Sequence, residues 1–300
     1  MRVALAIITS LTLLGSAHAQ DAALIERGRQ LFFTETFNGN GRTCGTCHQA
    51  DNNFTIDPAS VRTVPGDDPL FVAAPSGPDL NALEVMQLLR RRALVLENLD
   101  TFANPGVMRG VPHTLALRTS SGKMGWSGDG SPGDGSLRSF ATGAVAQHLT
   151  RTLARIPGQD FRLPEPEELD ALEAFQLSLG RQADIDLPGM VFFDDTVSEG
   201  QELFILSPSR NGNGRSCNGC HRNAGTNDGQ RDTGTALLPT APACDAGFKA
   251  PGDGGEGSGP VVTIARRDLC ANAPSSGSQA LVTFRGNGLF NTPPVIEAAV

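Results

Sequence analysis

One stretch occurs twice in this chain and constrains it more than anything else. Asn38-Gly39-Asn40-Gly41-Arg42-Thr43-Cys44-Gly45-Thr46-Cys47-His48 returns as Asn211-Gly212-Asn213-Gly214-Arg215-Ser216-Cys217-Asn218-Gly219-Cys220-His221. Both copies end in C-x-x-C-H, the attachment pattern of a c-type haem. Two thiols add across the porphyrin vinyl groups, and the adjacent imidazole becomes the proximal iron ligand. A bare C-x-x-C also serves as a redox dithiol or half a zinc site. Neither use needs the trailing His, and no further Cys or His lies nearby to complete a zinc site. The expected cofactors are therefore two covalent haems. Cys44, Cys47, Cys217 and Cys220 attach them, and His48 and His221 hold the irons.

Cys217 follows Cys44 by 173 residues, a spacing that means a duplicated domain and is too long for a solenoid unit. Upstream, Glu26-Arg27-Gly28-Arg29-Gln30-Leu31-Phe32 answers Glu199-Gly200-Gln201-Glu202-Leu203-Phe204 with one residue of slippage. In the first copy Leu24, Gly28, Leu31 and Phe32 recur at helical spacing, so an amphipathic helix ends before the glycine-rich loop. Its Gly permits close approach of another helix, and its Phe is placed to cover a haem edge. Asn-Gly-Asn-Gly is turn chemistry leading into the cysteines. The expected domains are a signal peptide at 1–19, an N-terminal cytochrome c domain at 20–185 and a C-terminal one at 186–300. The expected fold class is mainly α: two tandem c-type cytochrome domains with long loops, each built around a covalent haem.

Between the motifs, Asp51 to Pro78 reads as loop, and Asp79 caps a helix through Arg91. Arg90-Arg91-Arg92 has two readings, a solvated helix end and a partner for haem propionates. Ala93 to Asn98 is extended. Gly122 to Gly135 is a glycine-rich loop holding Trp126, the single Trp of the chain. A helix is expected over Leu137 to Ala154, stopped by Pro157, and another from about Glu165 to Leu179, closed by Gly180. Ala183 to Pro188 is the expected hinge. Past His221 the chain is mostly Gly, Pro and Asn until Leu281.

Residues Met1 to Ala19 carry the marks of a secretory signal: Arg2, an apolar Val3 to Leu14, and Ala17-His18-Ala19 as cleavage site. The apolar run is short for a bilayer span, so a cleaved, exported and, in a bacterium, periplasmic protein is expected. Haem attachment after export fits. Of six cysteines, four are assigned to haem. Cys244 and Cys270 remain, and in an oxidising compartment a disulfide is the expectation over two free thiols, worth about 3–4 kcal/mol in the chain-entropy picture. The net charge of −8 comes with no basic stripe, which argues against nucleic acid as a partner.

The sixth position on each iron decides function. Met or His there makes an electron carrier, and an open position binds peroxide or oxygen. With His18 removed, the candidates over the first haem are His113, His148, Met108 and Met124; Met86 reads as helix core and Met190 as hinge. No His or Met follows His221.

Taken with Arg109-Gly110-Val111-Pro112-His113-Thr114-Leu115, Trp126-Ser127-Gly128-Asp129-Gly130 and Ser136-Leu137, the paired motifs resemble the bacterial di-haem cytochrome c peroxidase family. Its relatives include the di-haem enzyme that matures tryptophan tryptophylquinone. Asn291-Thr292-Pro293-Pro294 is similar to the matching segment of the second half, and the likeness covers most of 24 to 300. It implies two-electron reduction of hydrogen peroxide at the N-terminal haem, with electrons delivered by a small redox donor protein to the other haem. It also implies that Trp126 relays charge between the haems, against the plain alternative of a buried loop Trp.

Departures from the family are specific. No His lies between His48 and Thr101, where its distal His would fall. Its acid–base Glu has no counterpart, and Gln147 and His148 lie near that place. Gly110 replaces the Asn associated with an interdomain calcium, which leaves calcium with little support. The family continues past the point matched by Val300, so either the C-terminal domain is incomplete here or the second haem is unusually open. His148 is an acid–base group, an iron ligand or a surface His. Three functions remain in view: a peroxidase, a di-haem electron carrier without chemistry of its own, and a di-haem oxygenase or maturation enzyme.

Overall fold

The computed structural model describes residues 21–71, 86–98, 106–115, 117–119, 124, 134–183, 185–206 and 217–219. It adds short strands at 221–222, 226–227, 230–232, 252–253, 262–265, 281–285 and 289–291. The expected signal peptide, Trp126, Cys220, Cys244 and Cys270 lie outside the described residues, as does most of the expected helix from Asp79. Helix predominates over strand among the described residues, which is the mainly α class. None of their helices is long and apolar enough to cross a membrane.

Helix α1 spans 21–34 and buries Leu31 and Phe32, each 2% exposed, as its periodicity requires. Leu24, at the solvent end of the same stripe, stays exposed. Gly28 is where α1 meets helix α6 (Pro166–Ser178): a Cβ there would stand 1.9 Å from the carbonyl oxygen of Ala171. The two backbones touch, and only glycine allows it. Helix α6 begins as its sequence dictates. Pro166 takes the first position, and the Glu168 carboxylate accepts the Glu165 N–H at 2.9 Å. Helix α5 (Leu137–His148) starts at Ser136, whose Oγ accepts the Ser139 N–H at 3.1 Å. Together α1, α5 and α6 enclose Leu31, Phe32, Phe37, Val145, Leu149, Phe161, Ala171, Leu172 and Phe175.

Helix α5 stops at His148, short of the expected Ala154. The cause is distant in sequence. The Asn40 side-chain amide donates to the carbonyls of His148 and Thr150, both at 2.9 Å, and the Asn40 N–H donates to Leu149 O at 2.8 Å. Three successive carbonyls are thus taken by the glycine-rich loop, and the helix has no reason to continue.

A second apolar cluster, Ile56, Val61, Leu70, Phe71, Leu89, Ala93 and Val95, lies among α3 (Pro58–Thr63), α4 (Met86–Arg92) and strand β1 (Leu94–Asn98). Asp57 caps α3 by accepting from the N–H groups of Ala59 and Ser60. β1 pairs antiparallel with β2 (Gly106–Gly110), from Leu94 opposite Gly110 to Asn98 opposite Gly106. Arg90, Arg91 and Arg92 are exposed in the last turn of α4, and Arg90 lies 3.7 Å over the Phe71 ring, which matches the solvated helix end.

Helix α7 (Asp195–Leu206) repeats the α1 pattern but buries no residue. A Cβ on Gly200 would meet nothing within 4 Å, and Leu203 is 55% exposed. Beyond it come a short turn at Cys217–Gly219 and short strands that composition alone had left unassigned. The longest of these, Val262–Ala265 and Leu281–Arg285, pair antiparallel, in keeping with their β-branched and apolar residues.

Candidate functional site

The first C-x-x-C-H forms a single helical turn, α2 (Cys44–Cys47), and both intervening residues have a task there. A Cβ on Gly45 would lie 2.3 Å from the Phe33 ring, so the position admits no side chain. Thr46 Oγ1 accepts the Thr43 N–H at 2.9 Å and caps the turn. The two thiols face different surroundings. Cys44 packs against the α1–α5–α6 cluster, and Cys47 packs against the α3–α4–β1 cluster. They form no disulfide. Burial pushes the Cys44 thiol up to about 12, with Cys47 adding to the effect. A redox dithiol needs the opposite, a thiol lowered toward neutrality. Among the described residues no three His, Cys, Asp or Glu side chains group to hold a metal ion.

His48 follows directly, its N–H bonded to Cys44 O at 2.9 Å. Its Nδ1 lies 2.8 Å from the carbonyl oxygen of Phe54, and Phe54 itself bonds back to Gln49 O through its N–H. Asn53 and Phe54 both have φ near +55, a left-handed pair that aims this carbonyl at the imidazole. Burial lowers the His48 pKa, the bond to Phe54 opposes that, and the charge of nearby His113 adds to the lowering. Phe32, Phe33, Phe54 and Phe175 form an aromatic group around it, and the Phe32 ring centroid is 5.9 Å from that of His48.

The segment 111–115 comes back over the motif. Thr55 Oγ1 donates to Val111 O, and Val111 packs on the cluster that holds Cys47. His113 Nδ1 accepts the Leu115 N–H at 3.3 Å. The neighbouring Thr114 is 7% exposed, and its hydroxyl has no hydrogen-bond partner. Such a buried polar atom is uncommon.

His148 ends α5 beside this group. Burial pushes its pKa down to about 3, and the charges of Arg42, Arg155 and His48 act in the same direction. It is a neutral imidazole at any ordinary pH. Cys44, Cys47, His48, His113 and His148 each keep part of their surface open while Leu31, Phe32 and Val61 beside them are closed. The neighbouring Gln147 is buried and turns away, donating to Leu96 O at 3.4 Å.

The other candidates are scattered. Met124 is half-buried with its N–H on Gly135 O, Met108 stands opposite Leu96 in β2, Met86 packs in the second cluster and Met190 is exposed. Of the second motif, Cys217 is exposed and His221 pairs with Asn227 in a two-residue strand. Phe54, Asn40, Arg42 and Arg155 were not legible as site residues. Asn40 and Arg42 left a signal, because Asn213 and Arg215 repeat them. No protein-family model, curated protein or solved structure matches the chain.

Proposed function

We propose that the chain is a periplasmic di-haem c-type cytochrome of the peroxidase type, which reduces hydrogen peroxide with electrons from a small donor protein. The observation that carries this is the Cys44–His48 turn, whose two thiols lie against separate apolar clusters and whose imidazole is held by the Phe54 carbonyl, with the neutral imidazole of His148 at the end of α5. The fit to a covalent tetrapyrrole is chemical. Each thiol lies against its own apolar wall, the proximal imidazole presents Nε2, and the Thr114 hydroxyl lacks a partner.

Haem, when bound, supplies the iron that exchanges electrons and a coordination position for a small oxidant. The reaction consumes H2O2, two electrons and two protons and yields two waters. His148 is the group proposed to move the proton, taking it from one peroxide oxygen and returning it to the other. Its low basicity favours the return step and works against the first, because a desolvated imidazole takes up a proton reluctantly and gives it up quickly. Trp126 remains the proposed relay between haems, and His221 with Cys217 and Cys220 the proposed second attachment.

The neutral His148 also supports the electron-carrier reading, since an imidazole lone pair of that kind binds iron. Optical and EPR spectra of the holo-protein with and without peroxide decide between them. A high-spin first haem that reacts with peroxide, and a His148→Ala variant that loses turnover with an unchanged resting spectrum, support the peroxidase. Two low-spin haems, with a switch to high spin in His148→Ala, establish the carrier instead.

A further inference from the structure

The loop between α5 and α6 forms, with the glycine-rich loop, a cavity that the haem reading does not use. Its volume is about 460 Å³, and it is walled by Asn38 and Gly39 and by residues between Arg151 and Arg162. None of Cys44, Cys47, His48 and His148 lines it. Backbone hydrogen bonds hold the two loops in place. The Arg162 N–H bonds to Phe37 O at 2.7 Å, the Arg151 N–H to Asp160 O at 3.0 Å, and the Gly158 N–H to Phe161 O at 2.7 Å. Two arginines line the cavity, and they are not equivalent. The Arg162 guanidinium is spent: it donates to both oxygens of Glu168, at 2.6 and 2.8 Å, lies 3.2 Å from Glu35, and stands 4.8 Å over the Phe37 ring. Arg151 is exposed, and its Nη2 donates to a neutral acceptor, the Gln159 carbonyl. Asp160, the acid of this loop, is buried, accepts the Ile156 N–H at Oδ2, and does not line the cavity. Among the described residues the cavity thus holds one cation with no carboxylate partner. The side-chain amides of Asn38 and Gln159 border it, and both residues are exposed.

We propose that this cavity binds a small hydroxycarboxylate with a single negative charge. The inference stands apart from the haem reading. Arg151 has N–H groups beyond the one on the Gln159 carbonyl, and its planar fork matches a carboxylate through two parallel bonds. One unmatched cation selects a monoanion, because a phosphate dianion or a dicarboxylate would bring a charge that Arg162 is too occupied to meet. The amides of Asn38 and Gln159 each offer a donor and an acceptor, which hydroxyl groups match and an alkyl chain does not. The volume falls in the range of small-molecule sites.

Gluconate is the probe, glucose its uncharged counterpart, and inorganic phosphate a competing anion. Each sugar is titrated into the full-length protein and followed by saturation-transfer NMR of its own C–H signals. Wild type should bind gluconate with a Kd on the order of 1 mM, and glucose about tenfold more weakly or worse. Arg151→Gln should weaken gluconate by about tenfold or more, the effect of losing a charge-assisted pair. Gln159→Ala keeps the backbone carbonyl that Arg151 uses, and should weaken gluconate by about two- to tenfold. If Arg151→Gln does not fold, Gln159→Ala decides alone. Absence of gluconate binding overturns the proposal, as does equal binding of glucose or an unchanged affinity in the folded variants. Full displacement of gluconate by an equal concentration of phosphate also overturns it, because the cavity is then a general anion patch.

Discussion

His48 gives its Nδ1 proton to the carbonyl oxygen of Phe54 across 2.8 Å. A carbonyl only accepts, so this bond assigns the tautomer and leaves the Nε2 lone pair for a metal. It also raises the basicity of that nitrogen and fixes the ring plane. The Phe54 backbone gives up ordinary dihedral angles to make it, at a cost of order 1 kcal/mol. A histidine with only a packing role has no need of such an arrangement.

Haem content follows first. Expressed with a working maturation system, the denatured protein should carry the mass of two haems, and a variant with both Cys44 and Cys47 replaced by Ala should carry one. A wild-type mass with fewer than two haems rejects the assignment of both motifs.

Acid sensitivity follows from His148. Its folded pKa of about 3 lies below the ordinary 6.5 of the unfolded chain. Above pH 6.5 both states are neutral and the stability is complete. As the pH falls, the unfolded chain takes up a proton that the folded chain refuses, so stability is lost between about 6.5 and 3. The loss is of order a few kcal/mol. Urea unfolding at stepped pH should show a shallower decline for His148→Gln than for wild type. Parallel curves would show that the imidazole is not held neutral by burial.

The two helix glycines should respond in opposite directions. Gly28→Ala pushes a methyl group into the Ala171 carbonyl and should cost about 1–3 kcal/mol in the urea midpoint. Gly200→Ala, with open space around it, should be neutral or gain up to about 1 kcal/mol from helix propensity. Equal losses would remove the α1–α6 crossing as the reason for Gly28.

Asn40→Ala should loosen the end of α5. Two side-chain hydrogen bonds to carbonyls go with it, and about 1–3 kcal/mol of stability. Amide exchange in the loop from Arg151 to Arg162 should speed up by more than the global loss explains, and exchange at the start of α6 should not. Uniform change along the chain would contradict a local clamp.

What the chain's order of residues revealed was local. Cys44 to His48 announces its chemistry within five residues, and α6 lies within a residue of its expected bounds because Glu165, Pro166 and Gly180 are punctuation. The end of α5 was misplaced because its terminator, Asn40, lies 108 residues away from His148. Phe54 was invisible because its backbone carbonyl makes the contact, and any residue has one. Arg155 offered no pattern at all. The strands beyond α7 were hidden by the Gly and Pro around them, although Val262–Ala265 carries strand-forming residues.

The separation of the two thiols, one on each apolar cluster, has a consequence for how the domain melts. Without a bound plane between them the clusters are joined, among the described residues, by the short α2 turn and by a few hydrogen bonds, Gln147 to Leu96 O and Arg42 to the carbonyls of Pro69 and Leu70. Each can then open with its own free energy, and denaturation is broad or biphasic. A rigid group bonded to Cys44 on one side and Cys47 on the other makes opening either cluster strain the other. The cofactor would then merge two cooperative units into one, and sharpen the transition by more than it raises its midpoint.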